Sequence, residues 1–217
     1  MRFVTVNPAN GLRNSVESFI RTRYIESYGA DIRIFAPLLV AAVKGERMVC
    51  AAGLRAAVDG FFSEIYLDLP AESMIATLSG RLTTRAGILE VTSLCSTSPA
   101  ASVRFIHEIA NYGLEHGFEW SMFAATERLQ RLLSALNFNP IELVRAYAHR
   151  VEHPQAWGRY YDTQPRVVAV HREAIAKALG QPTNAEEPAA ACAAQSCALF
   201  LASSRSVAHA THGRKVA

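Results

Sequence analysis

A chain of 217 residues, 50% of them hydrophobic and 19% charged, falls in the size range of one domain and can bury a sizeable core. Its 22 Lys and Arg against 19 Asp and Glu leave a net charge of +3, scattered rather than massed, which excludes the electrostatic footprint of a nucleic-acid binder. No segment is long and apolar enough to span a bilayer, the start lacks the apolar run of a secretory signal, and four cysteines without metal-type spacing point to a reducing cytoplasm.

Residues 3–6 read as a short edge strand stopped by Asn7-Pro8. Asn10 or Gly11 opens a helix with Val16, Phe19, Ile20, Tyr24 and Ile25 on one face, ending near Gly29. Two apolar runs, 38–43 and 48–54, flank the turn Lys44-Gly45-Glu46 and make a hairpin, with Arg55 following the second arm. Residues 61–72 mix aromatic bulk with Glu64, Asp68 and Glu72 and lead into a helix through Met74, Ile75 and Leu78. A strand built of Ile88, Leu89, Val91 and Leu94 carries Glu90. Pro99 suits the first turn of the next helix, whose apolar face is Val103, Ile106, Ile109, Ala110 and Leu114 and which Gly117 terminates. A strand over 118–125 and a helix over 127–136 follow, closed by Asn137-Phe-Asn-Pro140, and Tyr160, Tyr161 and residues 166–170 suggest a final strand or hairpin. Beyond about Gly180 the composition turns to Ala, Pro, Gln and Ser. That reads as a mobile tail over 181–217 behind a domain of residues 1–180. Hairpin and crossovers together indicate an α/β (α+β) domain with one mixed central sheet flanked by helices.

The strand with Glu90 is where chemistry is expected. A carboxylate among aliphatic neighbours is costly unless it is paired or used, and burial raises its pKa. The strand runs into the small hydroxyl residues Ser96-Thr-Ser-Pro-Ala-Ala-Ser102 and then a helix, an arrangement that presents backbone N–H groups to an anionic or polarised ligand. Glu90 and Arg55 are open to two readings, a reactive site or a structural ion pair. Glu64, Tyr66, Asp68 and Glu72 either line a pocket for a cationic group or cap helices and stay solvated. His149-Arg-Val-Glu-His153 matches a zinc-peptidase pattern, but Pro154 follows at once and the segment is short and polar, so no metal is expected.

Several separated blocks fall in the order of a known family. Tyr24 with Tyr28-Gly29-Ala30, Gly53-Leu54-Arg55, the run from Phe61 to Glu72, Glu90-Val91 followed by Ser96-Thr97-Ser98-Pro99, and Trp157-Gly-Arg-Tyr-Tyr-Asp-Thr163 together resemble the thermostable hemolysins over roughly residues 20–170. The resemblance implies the GNAT acyltransferase fold. There is also a likeness to acyl-homoserine-lactone synthases, in which an Arg ends the third strand, as Arg55 does here. In them a Glu-aliphatic-Ser-Arg motif lies on the fourth strand. Glu90-Val-Thr-Ser93 resembles its first part, while Leu94 replaces its Arg.

What the resemblance implies is transfer of a fatty-acyl group from an acyl-carrier-protein or acyl-CoA thioester to a small amine or amino acid. In that scheme Glu90 is the base and Arg55 holds an acceptor carboxylate. Backbone groups of Val91, Thr92 and Ser93 hold the thioester oxygen, and Ser96, Thr97 and Ser98 contact pantetheine. Glu64, Tyr66, Asp68 and Glu72 line the acceptor pocket, which Tyr160, Tyr161 and Asp162 close. GNAT enzymes that use acetyl-CoA hold its diphosphate in a glycine-rich loop. Here the loop has no glycine and Pro99 lacks an N–H, which suits a carrier-protein donor better. Two other classes compete. One is a membrane-active cytolysin, for which the family name and the apolar stretch of residues 197–202 speak. The other is a GNAT-like binding module without catalysis.

Overall fold

The computed structural model describes residues 1–182. The tail expected over 181–217, with Cys192, Cys197 and the apolar stretch, lies outside the described residues but for its first two. The elements are β1 (Arg2–Val6), α1 (Arg13–Tyr28), β2 (Leu38–Lys44), β3 (Arg47–Arg55), α2 (Ala71–Ser79), β4 (Ile88–Ser96), α3 (Pro99–Glu115), β5 (Trp120–Ala125), α4 (Glu127–Ala135), β6 (Ile141–Arg145), β7 (Arg166–His171) and α5 (Arg172–Ala178). The strands form one seven-stranded sheet in the order β1-β2-β3-β4-β5-β7-β6. Only β4 and β5 pair in parallel; every other neighbouring pair is antiparallel.

Both faces of the sheet are covered, which is why its strands read as continuous apolar runs rather than alternating ones. Along β2 the parity is plain: Leu39 and Ala41 join Val16, Ile20 and Tyr24 of α1, while Val40 and Ala42 join Phe105 and Ile109 of α3. Ile88 and Leu89 divide in the same way, Ile88 toward the cluster under α2 and Leu89 toward α3. Helices α1 and α2 therefore cover one face, and α3 and α4 the other.

Helix ends follow local chemistry. Gly29, at φ 70°, closes α1 with its N–H on Ile25 O, a left-handed cap that suits glycine. Ser98 caps α3 through its hydroxyl, with Pro99 in the first turn. The buried stripe of α1 is narrower than the periodicity suggests, since Ile25 is 47% exposed. Two elements are absent from the sequence reading. Strand β6 buries only Leu143 among its five residues, so it carries almost no period-2 signal, and α5 is a seven-residue helix directly after β7. Tyr160 and Tyr161, expected in a strand or hairpin, instead lie in a 3-10 turn, Tyr160–Thr163.

Candidate active site

The site is built by a fork in the sheet. Strands β4 and β5 pair at Ile88↔Trp120, Leu89↔Ser121 and Glu90↔Met122 and then part, so β4 beyond Glu90 has no strand on its β5 side. On the other side β4 stays held by β3. Ala51 pairs with Cys95 and Gly53 with Thr92, leaving Ser93 and Leu94 opposite Ala52 as a bulge, with Ser93 at φ 51°. A bulge of this kind bends and twists its strand and turns β4 away from β5. Glycine is required at position 53, where a Cβ would stand 2.5 Å from Thr92 Oγ1 and 2.7 Å from Ala36 Cβ.

The fork opens into a cavity of about 1100 Å³. One wall is β4 and the start of α3, from Val91 through Ser98. An apolar arm runs between α3 and α4, where Ile106, Ile109, Leu129, Leu133 and Phe138 line it. The opposite wall is aromatic and comes from three separate segments through Tyr24, Tyr28, Phe62, Tyr66, Trp157 and Tyr160. Phe62 lies 5.8 Å from Trp157 and Tyr160 5.4 Å from Tyr28, centroid to centroid.

Glu90 is fully buried, and its oxygens accept the N–H groups of Phe62 at 2.7 Å and Ser63 at 2.6 Å. Burial pushes its carboxyl above the usual carboxylate range, while hydrogen bonds from Ser63 and Phe62 and the charge of Arg55 pull it partly back. Arg55 stands opposite Glu90 in the β3–β4 ladder and lines the cavity, with Nη1 donating to Asp59 O at 3.3 Å. The two form no ion pair. The structural-pair reading is thereby corrected: two backbone amides, not a guanidinium, satisfy the carboxylate, and Arg55 faces the cavity.

Val91, Thr92, Ser93, Ser96, Thr97 and Ser98 all line the cavity. The hydroxyls at the start of α3 are turned on one another. Ser98 Oγ accepts Ala101 N–H, and the hydroxyls of Ser96 and Ser102 share their two protons between Ser98 O and each other. Thr97 N–H goes to Val49 O and Ser102 N–H to Ser98 O. With Pro99 lacking an N–H, few donors remain there for a diphosphate. Cys95 lines the cavity too, but burial pushes its thiol up to about 12, which leaves it unreactive.

The acidic pocket expected from Glu64, Asp68 and Glu72 does not form. Glu64 and Glu72 both grip Arg85, at 2.5 and 3.0 Å, and Glu64 also accepts the N–H of Ala71 at the start of α2 at 3.0 Å. Arg85 holds the Glu64 carboxyl below the usual range. Asp68 pairs with Arg150 on the surface. The Glu64 and Glu72 contacts fasten α2 to the turns at 62–66 and 85–87, and none of the three carboxylates lines the cavity. Of that group only Tyr66 lines it. Tyr160 lines it as well, whereas Tyr161 stands behind, its hydroxyl 2.8 Å from that of Tyr66, and Asp162 is exposed to solvent.

The thermostable hemolysin family model matches residues 6–175. The chain belongs to that family. Among solved structures, the acyl-homoserine-lactone synthase LasI superposes with a TM-score of 0.57 at 6% identity, covering 86% of this chain and 99% of that one. BjaI, a CoA-dependent acyl-homoserine lactone synthase with SAM and isopentyl-CoA bound, gives 0.54 at 12%, covering 89% and 97%. FeeM, an N-acyl amino acid synthase from uncultured soil microbes, gives 0.54 at 15%, covering 84% and 97%. At such identities the likeness establishes the fold, which is GNAT-like as the element order implies. No curated protein matches the chain.

The family blocks, far apart in sequence, meet in space. Gly158, at φ 51° and ψ −123°, lies so close to the end of α1 that a Cβ there would stand 2.3 Å from Tyr28 O. Arg159 N–H donates to Tyr28 O at 2.8 Å and Asp31 N–H to Ala156 O at 2.9 Å. The Trp157-Gly158 block thus clamps the Tyr28-Gly29-Ala30 block and sets Trp157 and Tyr160 as the aromatic wall of this hemolysin-family cavity. Sequence reasoning missed Ser63, which is 1% exposed, lines the cavity and touches Glu90. Nothing in the spacing of the aromatic run 61–66 marks it; only the long-range contact with β4 does.

Proposed function

We propose that this chain is an N-acyltransferase that moves a fatty-acyl group from a carrier thioester to a small amine or amino acid. The observation that carries the reading is the fork: an unpaired polar edge of β4 opening directly into an apolar arm. A pantetheine arm has amides that can hydrogen-bond along a free strand edge, as an added strand does, and its acyl chain is apolar, as the arm is. The thioester carbonyl then lies by Val91, Thr92 and Ser93, where N–H groups aimed at its oxygen would stabilise developing charge. Arg55 receives the carboxylate of an amino-acid acceptor. Glu90, its pKa raised by burial, takes the proton released by the attacking ammonium. The amine nitrogen bonds the carbonyl carbon, the carbon–sulfur bond breaks, and the nitrogen's second proton leaves with the thiolate as thiol.

The self-bonded start of α3 favours an acyl-carrier-protein donor over acyl-CoA, because a carrier protein brings pantetheine without the nucleotide diphosphate. BjaI is described as CoA-dependent and FeeM as an N-acyl amino acid synthase, so both donor classes are tested. The full chain, incubated with acyl-carrier-protein and acyl-CoA thioesters of graded length and a pool of amino acids and amines, is expected to yield an N-acyl product by mass spectrometry. Arg55→Ala is expected to raise KM for carboxylate-bearing acceptors and leave simple amines unaffected. Lysis of liposomes by the purified protein without any acylated product would overturn the proposal in favour of a cytolysin. Neither lysis nor product would favour the non-catalytic module.

A further inference from the structure

Glu90 is buried and does not itself line the cavity it would serve. It has no exposed surface, its two oxygens accept the amides of Phe62 and Ser63, and both of those residues line the cavity while Glu90 does not. A base must reach its proton directly or through one intermediary. We infer that Ser63 is that intermediary: its hydroxyl receives the proton of the acceptor ammonium in the cavity while passing its own proton to the Glu90 carboxylate. The inference rests on the acyl-transfer reading and deepens it.

The geometry selects Ser63. It is buried, it lines the cavity, and its amide is hydrogen-bonded to Glu90 Oε1 at 2.6 Å, which fixes the residue beside the carboxylate. A serine hydroxyl donates one proton and accepts through two lone pairs, so it can accept from an ammonium and donate to a carboxylate at once. Around the carboxylate, Arg55 from β3 contributes a positive charge and Tyr66 a neutral hydroxyl held proton-bound by burial. Met122 faces it from β5 in register and carries no proton. In the step, one N–H bond of the ammonium breaks and one O–H bond forms on Ser63, while the former Ser63 proton becomes the Glu90 carboxyl proton. The free amine then attacks the thioester, and amide and thiol leave. Glu90 returns its proton to solvent by the reverse path, so each turnover with an ammonium acceptor releases one proton.

Glu90→Gln does not test this cleanly, because a Gln amide would turn an NH2 donor toward one of the two backbone N–H groups. Ser63→Ala does, since it keeps the backbone N–H bond to Glu90 and removes only the hydroxyl. Wild type, Ser63→Ala and Ser63→Thr are compared for kcat, KM and pH profile with the best donor and acceptor, after thermal melts have matched their folding. Loss of a general-base path is expected to lower kcat in Ser63→Ala by about 10²–10⁴-fold with KM little changed. It should also remove the acidic limb of the kcat/KM profile, and Ser63→Thr should retain most of the rate. If Ser63→Ala fails to fold, Ser63→Cys keeps the volume with a weakly bonding thiol and is expected to lose the same limb. A folded, hydroxyl-free variant within about threefold of wild type, with the acidic limb intact, overturns the relay and leaves the acyl-transfer reading standing. A wild type that acylates nothing overturns both.

Discussion

Gly158→Ala is the perturbation whose cost the structure fixes most closely. At φ 51° and ψ −123° an L-residue is strained, at about 1–3 kcal/mol. The new Cβ would also stand 2.3 Å from Tyr28 O, 2.8 Å from Gly29 C and 2.9 Å from Gly29 O. All three are backbone atoms of a capped helix end, so no side chain can swing aside. Relief requires the 157–160 segment to lift off α1. That loses the Arg159–Tyr28 hydrogen bond of 2.8 Å, worth about 0.5–1.5 kcal/mol, and loosens the Tyr28–Tyr160 ring pair at 5.4 Å, worth about as much. A total of about 2–6 kcal/mol follows, a large share of the roughly 5–15 kcal/mol typical of a domain. Urea denaturation should show a lowered midpoint at unchanged slope. Gly60→Ala is the control: its φ of +68° is also left-handed, but nothing lies within 4 Å of the added Cβ, so it isolates backbone strain. A Gly158→Ala variant no less stable than Gly60→Ala would refute the clamp between the two family blocks.

Phe138 is 2% exposed, lines the apolar arm and is held between two left-handed residues, Asn137 at φ 59° and Asn139 at φ 46°. Phe138→Ala is therefore expected to shift donor preference toward longer acyl chains in a competition among thioesters of graded length, at a stability cost of about 3–5 kcal/mol; unchanged preference would mean that the chain does not occupy this arm. Glu90 should also leave a mark on stability. Its folded pKa is raised by burial, so its contribution is fully present below the unfolded carboxylate value and is lost as pH rises through the folded one, at no more than about 1.4 kcal/mol per pH unit. The difference between wild type and Glu90→Gln in urea midpoints across that range should carry this slope, opposite in sign to the loss at low pH from Glu64, whose pKa Arg85 lowers. A pH-independent difference would show that the carboxyl does not titrate above its unfolded value.

What the sequence made legible was what local chemistry sets. Gly29 and Gly117 mark helix ends, Ser98 and Pro99 mark a start, and the paired apolar runs around Gly45 mark a hairpin; all of these appear in the structure within a few residues. The cavity wall from Val91 to Ser98 was legible for the same reason, as a strand running into a capped helix. What was not legible depends on partners distant along the chain. Glu64 and Glu72 look like a pocket until Arg85, 21 and 13 residues away, claims them. The bulge at Ser93 carries no glycine to announce its positive φ. Strand β6 has one buried residue and takes its place in the sheet only from β7, which follows it in sequence and lies inside it in space.

One event in the sheet accounts for both the dry carboxylate and the cleft beside it. The last paired position of β4 and β5 is Glu90↔Met122, so Glu90 lies at the apex of the fork, flanked by strands on both sides, while Val91, the next residue, already lines the cavity. A carboxylate placed two residues later would be wet and keep an ordinary pKa; two residues earlier it would be dry but separated from the cavity by a full strand pair. At the apex it is desolvated, and a single side chain can bridge it to the cavity. The strand pairing that buries Glu90 and the bulge that peels β4 from β5 thus belong to one local design. In it the stability given up by burying a carboxylate is offset by two backbone amides from the 62–63 turn. The same two residues line the cavity beside it.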